Sequence, residues 1–135
     1  MKMLKRIKRD ESGAAVIEMA FALPILIILI WMIVQLGLVL RAMSGIQHSL
    51  GEGARLATIW PVPSVDTIQD KMNDAVYGIG PGEFDIPTPV AGNADGSEYL
   101  DLEVTYSQDT DLLLIPGPTI NVSRTKRVWR AETDS

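Results

Sequence analysis

Cysteine is absent from this chain of 135 residues, which excludes disulfides, thiolate nucleophiles and cysteine-ligated zinc. Histidine occurs once, as His48. A lone imidazole leaves zinc short of ligands and a nucleophile short of an evident acid partner, and no glycine-rich phosphate loop is present. The residues therefore point to no catalysis, no metal, no cofactor and no small-molecule substrate. Charge is also missing from one place: residues 14–40 contain Glu18 as their only charged side chain. Before that stretch Lys2, Lys5, Arg6, Lys8 and Arg9 outweigh Asp10 and Glu11, a net +3, whereas residues 41–135 carry −7 of the overall −5. A basic tail, an apolar rod and an acidic domain follow one another. The acidic balance argues against nucleic acid as a partner, because phosphate binding needs concentrated positive charge.

What is present is one long apolar run. Met19 to Leu40 reads MAFALPILIILIWMIVQLGLVL, 22 residues without formal charge and with Gln35 as the one strongly polar side chain. As a helix rising ~1.5 Å per residue it is roughly 33 Å long, enough to cross a bilayer core of about 30 Å. A buried core helix is the alternative, but the rest of the chain is too polar to cover such a rod on every side. Pro24 removes one backbone donor near the start, so a bend rather than a break is expected there. The cations before the run, against only Arg41 and Arg55 in the stretch after it, predict a cytoplasmic N-terminus and an exported C-terminal domain. A secretory signal peptide also has a basic start, but its apolar region is typically about 7–15 residues, shorter than this one.

Glu18 needs an explanation, since an ionised carboxylate in hydrocarbon is costly unless it reaches the interface or finds a partner. Snorkelling to the headgroups beside the positive end of the helix dipole is the simplest account. The surrounding order of residues offers another. Gly13 followed by Ala14, Ala15 and Glu18 resembles the prepilin-peptidase site of type IV pilins. The wider string E-S-G-A-A-V-I-E-M-A-F-A-L-P-I-L, with G-E-G-A-R-L-A further on, looks like the TadE-like family of pseudopilins, small companions of the tight-adherence (Flp) pilus. The resemblance runs from about Asp10 to Arg55, and the ending T-I-N-V-S-R-T-K-R-V-W-R also looks like the C-terminal strand of that family. It implies cleavage of the Gly13–Ala14 bond, with Glu18 becoming the fifth residue of the mature chain. It also implies a bacterial inner-membrane setting. Independently of the resemblance, a new amine at Ala14 could pair with Glu18 of a neighbouring subunit and select one axial stagger.

Beyond the membrane run, Leu36, Val39, Met43, Ile46, Leu50, Gly53 and Ala57 recur at 3-4-3-4 spacing and form one helical seam. One rod from about Ala14 to Thr58, roughly 68 Å long, is therefore expected. Its membrane half must meet lipid or other helices, and its C-terminal half the protein's own exported domain or a neighbour. Trp60-Pro61-Val62-Pro63 ends it. Ser64 is a fair N-cap for a second helix whose Val65, Ile68, Met72 and Val76 share a face, with Gly78 to end it. Residues 78–98 read as mostly loop, and Asn93-Ala94-Asp95-Gly96 as a turn rather than a calcium loop, for it lacks the other spaced ligands and the closing glutamate. Leu100, Leu102, Val104 and Tyr106 alternate with polar residues as a strand with one buried face. Leu112–Ile115 reads as a short strand or an apolar plug, and Thr119–Trp129 as a last strand. Arg124, Lys126, Arg127 and Arg130 form a basic patch, either a solvated strand edge or a docking surface for an acidic neighbour subunit.

The expected fold is α+β. A basic leader occupies residues 1–13, a transmembrane helix 14–40, its amphipathic continuation 41–59, and an exported headgroup of one helix and two or three antiparallel strands 60–135. Pro24, Leu36, Val39, Met43, Ile46 and Leu50 are the expected helix-packing positions, and Gly13, Ala14 and Glu18 the processing and register residues. Two functions compete. One is a minor pseudopilin with membrane lipid, a prepilin peptidase, other pilin subunits and the pilus assembly platform as partners. The other is an uncleaved single-pass anchor of a periplasmic domain.

Overall fold

The structure, a computed structural model, describes residues 11–78 and 80–130. The first ten residues of the expected leader lie outside them. Two helices, α1 (Glu11–Ala57) and α2 (Val65–Ala75), precede four strands, β1 (Glu83–Asp85), β2 (Val90–Ala94), β3 (Ser97–Asp111) and β4 (Pro116–Trp129). The α+β class and the long rod are as the sequence predicts.

The rod is a single helix of 47 residues that continues through Pro24. It ends at Ala57, where the amides of Thr58 and Ile59 tighten back onto the carbonyls of Arg55 and Leu56 before the Trp60–Pro63 segment leads away. Ser64 caps α2, its Oγ accepting the Thr67 amide at 3.2 Å. The helix stops at Ala75, three residues before Gly78, because Val76 turns to an extended conformation.

β3 is the centre of the sheet, and every other strand pairs with it antiparallel. β4 occupies one edge from Tyr99 to Asp111. The other edge is shared: β2 pairs with residues 97–101 and β1 with residues 105–107. The sequence reading of two or three strands is corrected here to four, the additional β1 and β2 lying within the mostly loop stretch 78–98. β1 and β2 are too short to show a period and form because the open edge of β3 offers them hydrogen-bond partners. The β2–β3 connection is the two-residue turn Asp95–Gly96, both residues at positive φ, as a tight hairpin requires. Leu112–Ile115, expected as a strand or plug, is instead the turn of the β3–β4 hairpin, closed by the Leu112 amide on the Ile115 carbonyl at 2.8 Å.

One face of β3 carries the core. Leu100, Leu102, Val104, Tyr106 and Gln108 are fully buried against Ala42, Ile46, Leu50, Ala54 and Ala57 of α1 and Ile68 and Met72 of α2. Strand and rod run antiparallel: Leu102 lies against Gly53 and Asp111 against Gln35. The spans agree, nine strand residues at ~3.3 Å covering about 30 Å and eighteen helical residues at ~1.5 Å about 27 Å.

α2 and the segment after it approach α1 along small residues one turn apart, Gly45, Ser49 and Gly53. Ser49 Oγ donates to the Met72 carbonyl at 2.8 Å, satisfying one orphan acceptor at the end of α2. A Cβ on Gly45 would overlap the Tyr77 carbonyl oxygen, and one on Gly53 would stand 2.6 Å from Met72 Sδ. Gly51 faces open space. Gly45→Ala should therefore destabilise the headgroup by about 1–3 kcal/mol. Gly51→Ala should stabilise it by about 0.5–1 kcal/mol, through helix propensity alone. Urea unfolding of the two full-length variants in detergent micelles, followed by β-sheet circular dichroism, checks the opposite signs.

Candidate functional site

The N-terminal half of α1 holds the residues that the sequence marks for processing. Gly13 and Ala14 stand within the first described turn of the helix. Glycine there lowers the cost of leaving the helical conformation at the Gly13–Ala14 bond. Ala14 and Glu18 are four residues apart and so share a helix face. Glu18 is exposed and has no ion pair among the described residues. A free amine at Ala14 would add positive charge to the already positive end of the helix dipole, which a carboxylate relieves.

From Val16 to Val34 the rod is largely exposed. Phe21 is 72% exposed and Ile25 67%, and Pro24 is exposed with them. Only 11% of the most apolar window is buried. A soluble core helix of such composition would be covered on all sides. One apolar helix of this length is consistent with a single-pass membrane anchor.

Where the exposed stretch ends, a polar clamp joins rod and hairpin. Gln35, buried, donates from Nε2 to the Asp111 carbonyl and accepts the Asp111 amide on Oε1 at 3.1 Å. Its side-chain amide thus pairs with the strand end as another strand would. Trp31 Nε1 donates to Asp111 Oδ1 at 2.8 Å, and the same oxygen accepts the Leu113 amide at 3.0 Å. Sequence reasoning misses this junction, although a lone Gln in an apolar run demands a partner and so contains the signal.

Of the expected packing positions, Val39, Ile46 and Leu50 are buried, Met43 is half-buried and Leu36 is 55% exposed. The buried face is wider than one seam and turned toward Gln35, Ala42 and Ser49, because α2 and β3 cover adjacent sides of the rod. The basic residues do not form one surface. Arg124 and Lys126 stand opposite Val104 and Leu102 and line a shallow depression with Gln47 and Leu50. Arg127 lies on the outer face, 2.8 Å from both carboxylate oxygens of Asp101 and 3.8 Å above the Tyr99 ring. Arg130 reaches the Pro63 carbonyl at 3.0 Å and Glu98 at 4.0 Å. His48 is exposed beside the Tyr77 ring. Among the described residues there is no cluster of three or more side chains suited to a metal ion.

Residues 13–55 match the model of a protein family described as TadE-like protein. The match lies wholly within α1. Comparison with curated proteins and with solved structures gives no match to the chain.

Two outcomes follow from these contacts. Gln35→Leu leaves the Asp111 amide and carbonyl without their partner, so hydrogen exchange at Asp111 should accelerate by the equivalent of about 1–3 kcal/mol while Leu102 is unchanged. The Arg127 guanidinium, hydrogen-bonded to Asp101, holds that carboxyl below its ordinary range. Asp101 therefore contributes stability above its unfolded pKa and loses it as pH falls through the lower folded value. In Arg127→Gln the Asp101 resonance followed by carboxyl NMR should titrate at higher pH than in the parent protein.

Proposed function

We propose, taking the TadE-like character of residues 13–55 as the premise, that this protein is a minor pseudopilin acting in assembly of the tight-adherence (Flp) type IV pilus. A prepilin peptidase cleaves the Gly13–Ala14 bond, and the mature helix then moves from the inner membrane into a bundle with other pilin or pseudopilin helices at the assembly platform. The observation that carries this reading is the coincidence of three things on one helix. The family match begins at the glycine a peptidase would cut, Glu18 lies one turn beyond the new amine, and the rod that follows is apolar and largely uncovered.

The work is packing and has no chemistry of its own. A helix bare on nearly every side in one chain gains contacts by meeting others, and dispersion and small-residue approach drive association in lipid. Those terms vary little with axial slip. A carboxylate–ammonium pair does vary: two unit charges ~4 Å apart interact by about 4 kcal/mol at an effective dielectric of ~20, and the attraction falls as they separate. Glu18 meeting the Ala14 amine of a neighbour thus sets register more than stability. The basic residues before the rod keep the N-terminus in the cytoplasm and the headgroup in the periplasm.

N-terminal sequencing of the membrane-extracted protein should begin at Ala14. A chain that retains residues 1–13 in normally piliated cells would instead make the protein an uncleaved anchor of a periplasmic domain. Glu18→Ala should insert in the membrane normally and abolish piliation and surface adhesion, and wild-type pili in that strain would remove the pairing role.

A further inference from the structure

The β3–β4 hairpin ends in four consecutive apolar residues, Leu112–Ile115, and three of them point outward: Leu113 is 45% exposed, Leu114 95% and Ile115 63%. The opposite end of β3 turns through Asp95–Gly96, the polar and small residues that suit a solvated turn at positive φ. At the apolar end Leu113 adopts φ 73°, a conformation that favours Gly, Asn or Asp. Turn geometry is therefore not what selects leucine at that position.

Its place along the rod supplies a reason. The apolar stretch of 14–40 is longer than a crossing needs, and the headgroup covers the rod from Gln35 onward. A bilayer core of about 30 Å takes ~20 helical residues, so the span ends near Ile33 and begins near Ala14. Trp31 and Gln35 bracket that level, and both hold Asp111. Tryptophan with its N–H engaged and its ring against apolar surface is the usual marker of a membrane–water interface. The chain beyond Asp111 turns toward the membrane side, where Leu112 lines a groove with Leu29 and Met32.

Unpaired backbone donors are costly in hydrocarbon, and two of the four tip amides are paired within the hairpin. Those of Leu114 and Ile115 have no partner among the described residues, so the side chains enter the acyl region while the backbone stays at its boundary. The amide of Leu112 is bonded to Ile115, that of Leu113 to the Asp111 carboxylate, and that of Asp111 to Gln35. Pro116 and Pro118 have no N–H.

We propose that the Leu112–Ile115 tip is a second membrane contact, its side chains dipping among the lipid acyl chains of the leaflet on the exported side while Asp111 stays at the headgroups. The proposal rests on the reading of α1 as membrane-spanning. It makes the long β3–β4 hairpin a strut between headgroup and bilayer, so that moving the subunit out of the membrane requires withdrawing the tip as well as the rod.

The natural absence of cysteine makes single-site labelling direct. Full-length Leu114→Cys, Ile27→Cys and Asn93→Cys, each carrying an environment-sensitive nitrobenzoxadiazole label, are reconstituted in phosphatidylethanolamine–phosphatidylglycerol vesicles. Quenching by brominated acyl chains is then compared with quenching by aqueous iodide. The expected result is that Leu114 behaves as Ile27 does, with bromolipid quenching of equal extent and protection from iodide, while Asn93 shows the reverse. If Ile27 is lipid-quenched but Leu114 is iodide-quenched, the rod spans the bilayer and the tip proposal is overturned. If Ile27 is itself iodide-quenched, the spanning reading fails and takes the tip proposal with it. Protection of Leu114 from both quenchers also overturns it, since protein rather than lipid would then cover the tip.

Discussion

A rod of 47 residues is longer than the domain that folds against it, and this mismatch governs the molecule. The sheet and α2 cover the rod from about Gln35 to Ala57, where nearly every inward side chain is buried. Below that level, among the described residues, only the tip end of the β3–β4 hairpin touches it, near Leu29–Ile33, and bulky apolar side chains stand largely open from Val16 to Val34. Water does not tolerate such a surface, so its completion lies in lipid, in other helices, or in each in turn.

The two halves meet at a polar seam. The Gln35 amide pairs with both backbone groups of Asp111, whose carboxylate takes the Trp31 indole N–H. This arrangement satisfies a polar side chain in an apolar run and fastens the far end of a fifteen-residue strand to the rod. Without such a fastening the hairpin end would be tied to α1 by apolar contact alone, which is indifferent to small slips along the helix axis. At the other end of the contact the Gly45–Ser49–Gly53 stripe lets α2 and the Tyr77 backbone come close, and the Ser49–Met72 bond fixes their level. The headgroup is thus located on the rod by directional bonds at both ends and held by burial between them.

The match to TadE-like proteins, residues 13–55, lies within the rod and leaves out α2 and the sheet. The part of this chain that resembles the family is the apolar rod, and the headgroup lies outside the match. Its outer sheet face is polar and its basic residues are dispersed, with Arg127 tied to Asp101 and Arg130 to Pro63 and Glu98. Arg124 and Lys126, beside Gln47, stand apart from those two.

Hydropathy and local chemistry make much of this legible in the order of residues. A charge-free run long enough for a bilayer, Ser64 ahead of an amphipathic helix, and the alternation from Leu100 to Tyr106 each depend on neighbours in the chain, and each is found as read. Gly13, Ala14 and Glu18 stand out as an ordered local block of the sequence. Three features are not. β1 and β2 exist because an edge of β3 is open to them, the buried face of α1 turns toward Ala42 because two elements cover it, and Leu112–Ile115 becomes an exposed tip because Asp111 is drawn onto Gln35. Periodicity along a chain encodes which side of an element is apolar. Which partner lies against that side, and at what level, is decided by hydrogen bonds between residues as far apart as Gln35 and Asp111, and only the folded chain brings those together.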